Sequence, residues 1–192
     1  MVRNPKKVLF IEGTRNDKNG NLGQGYSILL RQRLSMKMPH IVMSNGIAKA
    51  IDKFKNSNQT NDNLLLIDLD GKGELIRQGD YRQTKIDKKR RHEINSHEFV
   101  FFMVQKIEAW FLSQPEILKD VFKKDFTKIP FDHPSKIEHP DEVLMELTRE
   151  LKSNSYHKVK HGSRLLAKLN LAKLATDFDD VKELVDVLGG EV

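Results

Sequence analysis

Two short apolar runs constrain this chain more than any other feature. Val8-Leu9-Phe10-Ile11 breaks off at Glu12-Gly13, and Leu64-Leu65-Leu66-Ile67 breaks off at Asp68-Leu69-Asp70-Gly71. Apolar runs of this length bounded by turn residues read as strands buried on both faces. Strands of that kind belong to parallel sheets covered by helices. In open α/β sheets the ligand sites lie at the carboxyl ends of the strands. Glu12, Asp68 and Asp70 are therefore expected on one rim. Asp68 and Asp70 are two residues apart, so in an extended chain they share a face. Three carboxylates on one rim repel one another unless a cation lies among them, and such oxygen ligands suit Mg2+ or Mn2+.

The intervening chain supports a β-α-β-α-β order with right-handed crossovers. The Gly- and Asn-rich residues 14–25 predict a loop, followed by a helix over 26–37 that ends at Met38-Pro39. A second strand is predicted over 40–43. A helix over 47–54, apolar at Ile47, Ala50, Ile51 and Phe54, is predicted to follow an N-cap at Asn45. The third strand is predicted over 64–69. Residues 71–96 are basic and poor in apolar side chains, the pattern of a solvated insertion. Glu98 to Val104 predicts a fourth strand, running directly into a helix over 105–112. Pro115 opens another helix, to Phe122. Pro130, Pro134 and Pro140 mark an irregular linker over 125–140. Beyond it, helices are predicted over 141–151, over 164–171 capped by Ser163, and over 177–188 ended by Gly189-Gly190. Residues 156–162 between them predict a basic loop. The expected organisation is a core over 1–112 with the insertion at 71–96, and a helical region over 113–192 packed on the core or extending it.

Composition narrows the function classes. With 38% hydrophobic and 31% charged residues among 192, the chain has the balance of a soluble globular protein. No apolar run approaches the roughly 18 residues of a membrane span. No secretory leader is evident at the N-terminus, so a cytoplasmic location is expected. The absence of cysteine excludes disulfides and cysteine-ligated zinc or iron–sulfur centres. Leaving His161 aside, the histidines at 40, 92, 97, 133, 139 and 157 show no HxxxH or HExxH spacing among themselves. The Gly20–Gly25 stretch lacks the Lys-Ser/Thr of a phosphate-binding loop. A net charge of +6 and a pI near 9.4 favour a polyanionic partner.

Together, the Glu12-Gly13 element and the Asp68-x-Asp70 pair resemble the Toprim domain of topoisomerases, primases and small nucleases. In that family a glutamate after the first strand and an aspartate pair after a later one carry the chemistry. A wider resemblance rests on Val104-Gln105-Lys106-Ile107-Glu108-Ala109-Trp110-Phe111-Leu112 with Gln114-Pro115-Glu116, and on Tyr156-His157-Lys158-Val159-Lys160-His161-Gly162. These elements are similar to a Toprim-like family of prokaryotic proteins often encoded beside an ABC- or SMC-type ATPase, as with the overcoming-lysogenisation-defect nucleases. The resemblance implies a Toprim-like α/β fold with about four mainly parallel strands. It also implies a Mg2+- or Mn2+-dependent nuclease that acts on DNA or RNA, serves as the effector subunit of a defence or DNA-processing system, and has an ATPase partner. A homo-oligomer is a further expectation.

On this reading Asp68 and Asp70 hold the cation, and Glu12 is a further metal ligand or a general base. Glu108 is a candidate fourth acid, or a carboxylate favoured at a helix N-terminus. Lys158 and His161 are candidate phosphate ligands, or part of an exposed basic loop. Lys72, Lys88, Lys89, Arg90 and Arg91 form a phosphate-binding flank, or a solvated face. The alternative function is a non-catalytic nucleic-acid-binding or regulatory subunit of an ATPase complex. Nucleotide transfer of the primase kind ranks last.

The charge run yields a direct test. If 72–91 binds a polyanion, each neutralised phosphate contributes roughly 0.7 to 0.9 to the log–log slope of affinity against salt. Replacing Lys88, Lys89, Arg90 and Arg91 with Gln should weaken nucleic-acid binding and flatten that slope in a filter-binding titration. An unchanged slope assigns the run to a solvated face.

Overall fold

The computed structural model describes residues 6–16, 20–57, 62–70, 99–126, 129 and 133–191. The basic segment 71–96, with Lys72, Lys88, Lys89, Arg90 and Arg91, lies outside the described residues. Among the described residues the strands are β1 (Val8–Glu12), β2 (Arg15–Asn16), β3 (Gly20–Asn21), β4 (His40–Ser44), β5 (Asn63–Asp68) and β6 (Val100–Met103). The helices among the described residues are α1 (Leu22–Leu34), α2 (Ile47–Asn56), α3 (Ile107–Leu112), α4 (Pro115–Phe122), α5 (Pro140–Thr148), α6 (Lys158–Lys168), α7 (Leu171–Asp177) and α8 (Asp179–Val187).

Four strands form one parallel sheet in the order β4-β1-β5-β6, and β2 and β3 pair separately as a small antiparallel ribbon. This is the expected α/β class, a parallel sheet flanked by helices. From β1 the chain passes to β4 on one side, then returns across β1 to β5 on the other. The direction of winding thus reverses between β1 and β5, where an open α/β sheet forms its crevice.

The register explains how helices cover both faces. Phe10, Leu65 and Val100 align across the sheet, so Ile11, Leu66 and Phe101 share the opposite face. The Phe10 ring meets Phe54 of α2 edge-on, with centroids 6.4 Å apart. Met103 lies on the other face, two residues beyond Phe101, and receives the Tyr26 hydroxyl of α1 at 3.0 Å. The two crossover helices therefore lie on opposite faces, as right-handed connections require. Tyr26 continues into an aromatic chain through Trp110 to Phe178, with centroids 6.5 and 6.4 Å apart.

Residues after 113 pack onto this core; buried side chains from Leu9 to Leu188 form one continuous cluster. Helices α1 and α6 pack closely against each other. A Cβ on Gly25 would lie 2.8 Å from the Ser163 carbonyl oxygen, and one on Gly162 would lie 2.7 Å from Leu22 Cδ2. Two glutamines hold the turn between α6 and α7. Gln32 donates to Leu169 O at 2.7 Å and accepts from Leu171 N at 2.9 Å. Gln114 donates to Asn170 O at 3.1 Å and accepts from Asn170 N at 2.8 Å. At β6, Phe102 N donates to Asp180 Oδ1 of α8 at 2.9 Å.

Several boundaries differ from the sequence expectation. The first helix starts at Leu22, inside the expected loop, because Asn21 caps it by accepting from Gln24 N at 3.1 Å. Asn45 is not the cap of α2; Gly46 holds that position, with φ 90° and no side-chain cap. The fourth strand and the next helix are shorter than expected, because Gln105 has φ 61° and breaks the chain between them. The expected helix over 141–151 is helical only to Thr148, then continues as a 3-10 segment over Arg149–Asn154. The expected basic loop 156–162 is mostly helix: His157 accepts from Lys160 N and α6 begins at Lys158, leaving Ser163 in its interior. The expected last helix over 177–188 is Asp179–Val187, which starts after the buried, extended Phe178, and a separate short helix, Leu171–Asp177, precedes it.

The α1–α6 crossing predicts that Gly25→Ala destabilises the fold by about 1–3 kcal/mol, because backbone and not a flexible tip must give way. Urea unfolding should show a lower midpoint with an unchanged slope. A neutral result would mean that the two helices separate freely.

Candidate functional site

Glu12 ends β1 and Asp68 ends β5, side by side where the winding reverses. Glu12 Oε2 accepts from the Asp68 backbone N–H at 3.0 Å, linking the two strand ends. The Asp68 side chain is only 7% exposed. Its Oδ1 accepts from Ile107 N at 3.0 Å, and its Oδ2 receives Lys158 Nζ at 3.1 Å. The same ammonium lies 3.8 Å from Glu108 Oε2. Glu108 is buried on α3, and its Oε1 accepts the Tyr156 hydroxyl proton at 2.7 Å. Its Oε2 is buried without a hydrogen-bond partner. Glu12, Asp68, Glu108 and Lys158 thus come together from β1, β5, α3 and α6.

Local sequence explains each placement. The strands end where Gly13 takes φ 142° and where Asp70 takes a left-handed φ of 49°. Lys158 reaches the carboxylates because its helix approaches α1 closely at Gly25 and Gly162. The β2–β3 ribbon adds a third close approach: a Cβ on Gly20 would lie 2.3 Å from the Val159 carbonyl oxygen. A cleft of about 310 Å³ opens beside the cluster, lined by Asp68, Glu108, Tyr156, Lys158 and the Lys106–Asp141 pair. In that pair Nζ and Oδ2 are 2.7 Å apart.

The electrostatics follow from crowding in a dry setting. Burial, then the neighbouring Asp68 charge, raises the Glu12 carboxyl from an ordinary 4.5 to about 7. Asp68 is also raised by burial, with Lys158 opposing the shift. Glu108 is raised by burial against the same opposing ammonium. Burial alone would depress Lys158, but the Asp68 and Glu108 charges outweigh it and hold the ammonium above its ordinary value. Among the described residues, the three carboxylates of this cluster face one ammonium, that of Lys158. Glu12, titrating near neutrality, can take or give a proton at working pH.

Two sequence expectations change in detail. Asp70 does not share an extended face with Asp68, because its left-handed φ ends the period-two alternation; it is exposed at the rim, and its charge raises Glu12 and Asp68. His161 is 4% exposed and turned into the core, not presented to a phosphate. Its Nδ1 accepts from His157 N at 3.0 Å, and its ring packs on Phe122 and Tyr156. Burial, then the Lys160 charge, lowers its pKa, favouring the neutral imidazole. Tyr156, Lys106 and Asp141 are cleft residues that sequence reasoning missed. Tyr156 stood in the quoted stretch before Lys158, but a phenol there carries no spacing signal. Asp141 had only its place after Pro140 at a helix start.

The donor set fits a hard divalent cation in its chemistry: carboxylate oxygens only, and the orphaned Glu108 Oε2. As they stand, no three acidic or histidine side chains among the described residues are grouped closely enough to hold a metal ion directly. Lys158 occupies the space between Asp68 and Glu108. Among the described residues, no helix is long and apolar enough to cross a membrane.

A family model described as a domain of unknown function, DUF4276, matches residues 23–189. No curated protein and no solved structure matches significantly.

The raised Glu12 carboxyl sets a pH dependence. Between pH 4.5 and about 7 the folded state holds a proton that the unfolded state has released. This contribution is fully present below pH 4.5 and is lost as pH rises through about 7. In EDTA, Glu12→Gln should therefore match the parent protein's stability at pH 5 and exceed it at pH 8. Equal pH profiles for the two proteins would refute the raised pKa.

Proposed function

The chain belongs to the DUF4276 family, and we propose that this member hydrolyses phosphodiester bonds of nucleic acid in a Mg2+- or Mn2+-dependent reaction at the cleft. The observation that carries this reading is the convergence of Glu12, Asp68 and Glu108, buried or half-buried, from separate elements at the crevice of the sheet. A site that only needed to be stable gains nothing from three carboxylates around one ammonium, since burying surplus charge is unfavourable. A site that must hold a cation against phosphate requires that surplus.

In this reading Asp68 holds the cation, with Asp70 contributing from the rim. When bound, the cation supplies charge stabilisation for phosphate oxygens and activation of water. Glu12, with its carboxyl near pH 7, takes the proton released by the attacking water. Lys158 supplies positive charge toward the phosphate as negative charge develops there. The basic residues Lys72, Lys88, Lys89, Arg90 and Arg91 hold the polynucleotide backbone. The Toprim resemblance adds that the chain acts beside an ABC- or SMC-type ATPase, in a cytoplasmic defence or DNA-processing role.

One observation favours a second reading, a non-catalytic binding or regulatory subunit. Both Asp68 oxygens already have partners, Ile107 N and Lys158 Nζ, and such a cluster can serve only to tie α3 and α6 to the sheet. Incubating plasmid and single-stranded DNA and RNA with Mn2+, alone and with the ATPase encoded nearby, separates the two. The nuclease reading predicts cleavage that falls by at least about a hundredfold in Asp68→Asn. Metal-independent binding without cleavage under any of these conditions establishes the second reading.

A further inference from the structure

We propose that the gap between Asp68 Oδ2 and Glu108 Oε2 is itself a divalent-cation site, and that the Lys158 ammonium is its displaceable resident. The inference rests on the metal-dependent reading above and deepens it. It moves the cation from the rim, between Asp68 and Asp70, to a buried pair of oxygens on β5 and α3.

Three observations lead there. Glu108 Oε2 is a buried carboxylate oxygen with no hydrogen bond, on a side chain only 1% exposed. Leaving such an atom unsatisfied is costly unless something charged periodically fills the space before it. The oxygen is also held in place, because Tyr156 donates to the other oxygen of the same carboxylate at 2.7 Å. The carboxylate is thereby anchored, with Oε2 left free toward the cleft. Lastly, the three charged groups differ in freedom. The Asp68 and Glu108 side chains are 7% and 1% exposed, whereas Lys158 is 40% exposed and stands on the first residue of its helix. Only the lysine can leave without opening the core.

The ammonium bonds Asp68 at 3.1 Å and meets Glu108 at 3.8 Å, long for a hydrogen bond. A divalent ion between these oxygens brings two charges where Lys158 brings one, and its contacts are shorter. The two occupants exclude one another sterically and by like charge. Lys158 therefore keeps the apo cluster folded and leaves when the ion enters. Released, its ammonium stands at the mouth of the cleft, where an anionic phosphate would meet it.

The test uses Mn2+ alone, with no substrate. Purified protein is treated with a trace of an amine-acylating reagent, with EDTA or with Mn2+, and labelling at Lys158 is read by mass spectrometry against exposed Lys49 of α2. In parallel, Mn2+ affinity is measured by electron paramagnetic resonance for the parent protein, Lys158→Met and Glu108→Gln. Mn2+ should raise Lys158 labelling several-fold while leaving Lys49 unchanged. Lys158→Met should bind Mn2+ about tenfold more tightly, since a competing charge has gone, and Glu108→Gln more weakly. Unchanged Lys158 labelling at saturating Mn2+ overturns the exchange whatever the variants do, and leaves the nuclease reading intact with its cation elsewhere. No Mn2+ binding by the parent or by Lys158→Met overturns both.

Discussion

Asp68 cannot be buried alone. An isolated carboxylate in a dry interior is costly enough that a protein must neutralise it, pair it or hydrogen-bond it. Here the solution recruits three parts of the chain. The backbone N–H of Ile107 at the start of α3 and the Lys158 ammonium at the start of α6 satisfy the two oxygens. The Asp68 N–H in turn satisfies Glu12 at the end of β1. One buried charge thereby sets where two helices begin relative to two strands.

That arrangement requires the α6 backbone to come close, which is a packing condition. Gly25 and Gly162 leave no room for a side chain between α1 and α6, and Gly20 lets the β2–β3 ribbon press on Val159. The consequence is that the cleft is not built by residues 1–112 alone. Asp68, Lys106 and Glu108 line it together with Asp141, Tyr156 and Lys158 from the helical region, and Glu12 joins the cluster through the Asp68 N–H. The helices after 113 are part of the site and not an attachment to it.

Packing and charge oppose each other in this cleft. Glu12 is lifted to about 7 because burial and Asp68 both penalise its anion. Tyr156 and Lys158 relieve Glu108 only in part, leaving Oε2 unsatisfied. Structures tend to tolerate such unrelieved charge at functional sites, where perturbed carboxyl groups cluster. The same tension gives the metal-dependent reading its physical basis, because a cation removes the conflict that the polypeptide leaves in place.

The four parallel strands, the helices between them and the strand-end acids could be read from the chain by itself. Val8–Ile11 and Leu64–Ile67 are apolar on both faces and end at carboxylates, and parallel sheets put such ends at a crevice. These are local patterns, legible because each element must bury its own side chains. Other features needed the folded chain. Whether His161 faces solvent or Phe122 is decided by how α6 lies on its neighbours, and no spacing within 156–162 reveals that. The start of α6 at Lys158 depended on His157 turning its ring to cap Lys160. The partnership of Asp68 with Lys158 joins residues 90 positions apart. Sequence periodicity reports which face of an element is buried, but not which distant charge that face will meet. Tertiary structure decides this, because only the packed helices bring an ammonium within reach of a carboxylate that water can no longer solvate.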